Sequence, residues 1–180
     1  MRVLPTLCLL LATTMPVAAQ DARPTPDTPV TLGTVTCAQA RASRLTPRHL
    51  AAAELGAQAA RAGRSRYSTA AVDAAEAALR RDCTGDAAAE RRVTDIIRAL
   101  PATAAAATDI DLATMTCQNL APVWRDGARN LVPFMVGWRD GVAGTITRAA
   151  LDKVGEGVPR LCRDQTNQDR RISEVLAELR

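Results

Sequence analysis

Aromatic side chains are nearly missing from this chain, with two Trp, one Tyr and one Phe in 180 residues. A core built from it must be mostly aliphatic, because aromatics normally supply the largest buried areas. Histidine occurs once, at His49, which excludes zinc sites and base–nucleophile sets that need two imidazoles. There is no Gly-x-Ser-x-Gly, no His-Glu-x-x-His and no phosphate loop. No catalytic residue, metal or cofactor is therefore expected, and paired acids such as Asp109/Asp111 or Asp169/Glu174 read as helix-start charges and solvated faces. Past the first twenty residues no apolar run is long enough to span a bilayer. Lysine is almost absent too: Lys153 stands alone among 23 basic residues. The pI near 9.1 raises the question of nucleic acid, but no basic stripe interleaves with aromatics. The excess of arginine reads as solvated helix faces, and no nucleic-acid partner is expected.

What is present begins with Arg2, the apolar run Leu7 to Ala12 and the small-residue site Val17-Ala18-Ala19. This pattern predicts a secretory signal peptide over residues 1–19, too short to serve as a membrane span. Cys8 leaves with it. The remaining Cys37, Cys83, Cys117 and Cys162 then face an oxidising space, the periplasm, where disulfides persist. Residues 20–34 carry three prolines and no apolar period, and are expected to form a disordered or extended lead-in.

The rest of the chain is written twice. Thr36-Cys37 answers Thr116-Cys117, Gly56 answers Gly137, and Ala62-Gly63 answers Ala143-Gly144. Ala70-Ala71-Val72-Asp73 answers Ala149-Ala150-Leu151-Asp152, Cys83 answers Cys162, and Arg91-Arg92-Val93 answers Arg170-Arg171-Ile172. Short indels near Pro47 and after Gly63 bring the two into line. We read an internal duplication, with repeat 1 over 35–100, a low-complexity linker over 101–112 and repeat 2 over 113–180. Each copy is near the size at which a hydrophobic core barely offsets chain entropy. A disulfide within each copy would add about 4 kcal/mol in the chain-entropy model.

Capping residues and apolar periodicity then set out the helices. In repeat 1, Thr36 caps a helix over Cys37–Arg44, Thr46-Pro47 starts a second that Gly63 stops, and Ser68 or Thr69 starts a third. Asp86 is expected to cap the last helix, with Val93, Ile96, Ile97 and Leu100 along its stripe. In repeat 2, Thr116 caps again. Leu151 and Val154 form a short third helix broken by Gly155-Glu156-Gly157, and Val158-Pro159 restarts the chain into a final helix through Leu179. The expected fold is all-α: two tandem disulfide-stapled bundles of about four helices each, packed as a pseudo-dimer, with Cys83 at the end of the third helix of repeat 1 and the repeat 2 disulfide tying first helix to last. His49 reads as a surface residue.

Thr116-Cys117-Gln118 with Leu120, the Val136–Gly141 helix, the Leu151-Asp152 start, the Val158-Pro159 entry and the lone Cys162 together resemble the HdeA/HdeB family of periplasmic acid-stress chaperones. The resemblance covers Met115 to Leu179 best and Val35 to Leu100 through the duplication. It implies a protein closed near neutral pH that holds unfolded periplasmic proteins in acid. The apolar residues expected to bind such clients are Leu131, Phe134, Val136 and Trp138, with Leu50 and Leu55 as weaker counterparts. The chain's own chemistry runs the same way, since in acid its 19 carboxylates go neutral while the arginines stay charged. The alternative is a non-enzymatic helical module, of the immunity-protein kind, that binds one specific exported partner near neutral pH.

Overall fold

The structure, a computed structural model, describes residues 28–101, 109–141 and 144–179. The expected signal peptide and Cys8, the start of the lead-in and most of the alanine-rich linker lie outside the described residues. The fold is mostly helical, with two small antiparallel ladders and two disulfides. In chain order the elements are β1 (Val30–Thr31), α1 (Cys37–Ala42), α2 (Pro47–Arg61), β2 (Arg66–Tyr67), α3 (Thr69–Asp82), α4 (Val93–Arg98), β3 (Ile110–Asp111), α5 (Cys117–Asp140), β4 (Thr145–Ile146), α6 (Arg148–Cys162) and α7 (Ile172–Glu178). The all-α expectation is thus corrected by four two-residue strands. Residues placed in the lead-in and linker are built into the fold: Val30 and Leu32 are buried, and so is Leu112.

The ladders cross between the two halves. β1, which precedes the first helix of the first half, pairs with β4 of the second, Val30 opposite Ile146. β2 of the first half pairs with β3, which precedes the second half, Tyr67 opposite Ile110. The backbone continues the match, with Leu32 N–H donating to Gly144 O and Leu112 N–H to Ser65 O, each at 3.0 Å.

Local chemistry explains most helix ends. Thr36 and Gln39 form a capping box on α1, and Thr46 forms one on α2 with His49, behind a proline at the first helical position. Thr116 sits at the start of α5 but its side chain makes no cap bond. There, Cys117 N–H donates to Arg170 O at 3.0 Å, as Cys37 N–H donates to Arg91 O at 2.8 Å. The expected four helices per half become four and three. Thr46-Pro47 breaks the first half between α1 and α2, since a residue before proline avoids helical angles. Counting back from Gly56 and Gly137, the matching positions in α5 are Gly127-Ala128, which carry no such signal, so α5 runs unbroken for 24 residues.

Four further expectations are revised. The Gly155-Glu156-Gly157 triplet does not end a helix; α6 continues to Cys162. Gly157 serves close packing, since a Cβ there would sit 2.6 Å from Leu179 Cδ2, and the buried stripe Leu151, Val154 and Val158 holds the helix together. Asp86 opens a 3-10 turn over Asp86–Ala88 rather than α4. The second-half disulfide does not reach the last helix: Cys117–Cys162 ends on the last residue of α6, just as Cys37–Cys83 ends, as expected, at the C-cap of α3. The left-handed turn after α2, at Gly63, is matched after α5 by Gly141 rather than by Gly144, so the second-half helix ends earlier and the indel precedes that turn.

Candidate functional site

The dominant contact in the molecule is α2 against α5, and two glycines set its closeness. A Cβ on Gly56 would lie 2.2 Å from Phe134 O, and one on Gly137 would lie 1.9 Å from Ala53 O. The contact is reciprocal, and only hydrogen fits at either position. Around it Ala51, Ala52, Ala53 and Ala57 of α2 are fully buried. Phe134 meets Tyr67 edge-to-face with ring centroids 5.3 Å apart, a favoured aromatic geometry. Trp138 Nε1–H donates to Arg64 O at 2.9 Å, so the indole is held across the halves by its polar end.

The residues expected to hold clients gather here. Leu131, Phe134, Val136 and Leu50 are buried, while Trp138 and Leu55 pack against the same core half-exposed. None of the six forms an open apolar patch in this state. Leu131 and Val136 reach another molecule only if α2 and α5 part, whereas Leu55 and Phe134 also line a crevice, and Leu50 a groove, of the closed molecule.

Polar groups ring the contact. Arg48 bonds Asp73 at 2.7 Å and Glu76 at 2.6 Å and also donates to Asn130 Oδ1 of α5. Burial pushes the Glu76 carboxyl up, but the guanidiniums of Arg80 and Arg48 outweigh it and hold it below its usual range. On the other flank, His49 is half-buried in a cavity of about 530 Å³ whose lining includes Trp124, Arg148, Asp152 and Glu156. It is not the free surface residue that the sequence suggests. Burial lowers its pKa, Arg148 lowers it further and Asp152 opposes. His49 and Asn130 stand the same seven residues before Gly56 and Gly137. Ser65 donates to Asp111 across the halves, and with the Ala113 N–H it holds that carboxyl below its usual range.

Glu54 is the group that sequence reasoning missed. It is wholly buried on α2, accepts from Gly33 N–H at 2.9 Å through Oε2, and reaches Arg61 only at 3.7 Å through Oε1. Oε1 has no hydrogen bond, and neither do Tyr67 Oη and Ser68 Oγ. In the second half the matching turn amide, Ala113 N–H, is taken at 3.0 Å by Asp111. Thus two different carboxylates do one job, and only the one in the first half is a core residue.

His49 gives the first prediction. Its folded pKa lies below its unfolded value, so its stabilising effect is present above about pH 6.5 and drains as pH falls below it. The slope is at most about 1.4 kcal/mol per pH unit. His49→Gln keeps a side chain suited to the capping box and removes the titration. The variant should show a flatter denaturant midpoint between pH 6.5 and 5 than the parent.

The fold and these contacts define a mostly helical protein with a disulfide in each half and cross-paired straps. The disulfides fit an oxidising, extracytoplasmic compartment, and no described helix is long and apolar enough to cross a membrane. Among the described residues no three His, Cys, Asp or Glu side chains gather as a metal-binding group. Compared with protein-family models, curated proteins and solved structures, the chain matches none.

Proposed function

We propose that this is an exported, non-enzymatic acid-stress chaperone of HdeA/HdeB type, in which two copies of one disulfide-stapled module pack as a pseudo-dimer. The observation that carries the proposal is the α2–α5 contact, where the apolar residues best suited to grip an unfolded chain cover one another across a glycine-to-glycine crossing. Parting the halves would present that face, while Cys37–Cys83 and Cys117–Cys162 keep each half from unravelling.

Acid supplies the drive. Asp111 and His49 both touch the contact between the halves, and both have folded pKa values below their ordinary ones. The His49 contribution is lost first, below about pH 6.5. The Asp111 contribution is present above its unfolded pKa, near 4, and disappears as pH falls through its lower folded value. Neutralising 19 carboxylates also leaves the 23 Lys and Arg, less Arg2 of the expected signal peptide, to repel one another. The test is an acid-labile client mixed with the protein near pH 3. The expected result is suppressed aggregation and client release on neutralisation. No suppression at several-fold excess overturns the proposal.

A second reading, binding of one exported partner near neutral pH, is favoured by a groove of about 510 Å³ beside α1, where Ala40, Leu45, Leu79 and Val93 form a largely apolar lining. Circular dichroism with an apolar-surface dye, titrated from pH 7 to pH 2, separates the two. A rise in dye binding with retained helix supports the chaperone, and a flat response supports the partner-binding module.

A further inference from the structure

A crevice of about 760 Å³ opens between α2, α3 and the Arg64–Arg66 turn, within the usual range for small-ligand sites. Its floor is apolar, with Leu55, Val72, Ile97 and Phe134. Its rim carries Arg64, Arg66 and Arg98. Arg98 lies 3.5 Å from Asp95, whereas Arg64 and Arg66 enter no ion pair among the described residues. Ser68 lines the same crevice, and its Oγ is buried with no hydrogen-bond partner. Asp109 and Asp111 share the lining; the Asp111 carboxylate already accepts from Ser65 and from the Ala113 N–H and is attracted by Arg66.

We infer that this crevice binds an aliphatic carboxylate, its head held by Arg64, Arg66 and the Ser68 hydroxyl and its chain laid on Leu55, Ile97 and Phe134. The planar guanidinium matches a carboxylate in a two-bond geometry, and an unpartnered buried hydroxyl is a donor waiting for an acceptor. An alkyl chain suits the floor better than a peptide. A peptide brings an amide and a carbonyl with every residue, and this floor consists of hydrocarbon side chains. The site operates in the closed molecule, so it stands or falls separately from the acid-chaperone proposal.

The test is titration calorimetry at pH 7.5 on the full oxidised chain, with decanoate kept below its micelle concentration. Decanol and an acetylated tripeptide ending in a leucine carboxylate are the comparison ligands, and amide chemical shifts locate the site. One decanoate should bind per chain, shifting amides from Arg64 to Ser68 and from Ile97 to Leu100. Decanol and the tripeptide should bind at least about tenfold more weakly, which corresponds to losing one hydrogen bond to a charged group or leaving amides unpaired. Arg64→Gln/Arg66→Gln and Ser68→Ala should each weaken decanoate to a similar extent while the melting temperature stays near that of the parent. Equal binding of decanol, full affinity in the arginine variant, shifts confined to other surfaces, or no heat at all would overturn the assignment. Tighter binding of the tripeptide than of decanoate would also overturn it, in favour of a peptide terminus.

Discussion

Gly56→Ala and Gly137→Ala should each lower stability by about 2–3 kcal/mol, although alanine is the better helix former by about 1 kcal/mol. The new methyl at Gly56 would meet Phe134 O at 2.2 Å, and that at Gly137 would meet Ala53 O at 1.9 Å. Both neighbours are backbone atoms inside helices, so neither can swing aside, and relief comes only by moving one helix axis from the other. Overpacking of this kind costs about 1–3 kcal/mol and reaches the top of that range where nothing can yield. For a chain of this size the melting point should fall by about 4–12 °C. Gly127→Ala is the control, in the same α5 helix with nothing within 4 Å of its added methyl. It should gain about 0.5–1 kcal/mol. The larger Gly137→Leu then tests function, because a wedge in this contact should mimic acid. It should raise dye binding at pH 7 with the disulfides intact. A Gly137→Leu protein that melts normally and stays closed would remove the α2–α5 contact as the place where the molecule opens.

The glycines were legible in the sequence as paired positions, but not their purpose, because a glycine in a helix pattern reads equally as a stop or as a close approach. At Gly157 the wrong alternative is the natural one, and the buried neighbour Leu179 decides it only in three dimensions. The straps carried a clearer sign that went unused. Val30-x-Leu32-x-x-Val35-Thr36-Cys37 and Ile110-x-Leu112-x-x-Met115-Thr116-Cys117 match position for position. The alternating apolar residues are what a short half-buried strand requires. Three prolines just upstream, and the alanine run before Asp109, drew the boundary too late. Which half each strap would join was beyond sequence reasoning, because a two-residue strand contains no register information apart from its partner. Glu54 was hidden for another reason: a carboxylate on an alanine-rich helix is ordinarily a solubilising residue, and only the Gly33 amide that it reaches marks it as internal.

Removing the disulfides should have the largest effect of all, and an unequal one. Closing loops with separations of 46 and 45 residues is worth about 4 kcal/mol each in the chain-entropy model. Reducing both therefore takes away about 8 kcal/mol, against a typical total of 5–15. At pH 7 the reduced protein should be largely unfolded at temperatures where the oxidised form is native. The entropy terms of the two bridges are nearly equal, so any difference between single knockouts must come from what each bridge anchors. Cys37 opens α1, a helix of six residues that is far too short to persist alone. Its other anchors are Cys37 N–H donating to Arg91 O at 2.8 Å, Ala38 N–H donating to Ala89 O at 2.9 Å, the Thr36–Arg92 bridge, and Arg41 donating to Cys83 O and Gly85 O at 2.9 and 3.0 Å, all of them to the one segment that Cys83 leads into. Cys117 opens the 24-residue α5, which α2, α6 and α7 hold along its length. Cys37→Ser/Cys83→Ser should therefore strip amide-exchange protection from Cys37–Ala42, whereas Cys117→Ser/Cys162→Ser should fray only the first turn of α5. Hydrogen exchange followed by mass spectrometry reads both in one experiment. Equal loss of protection in the two variants would mean that the bridges act only through the unfolded chain, and that the short first helix has a footing of its own.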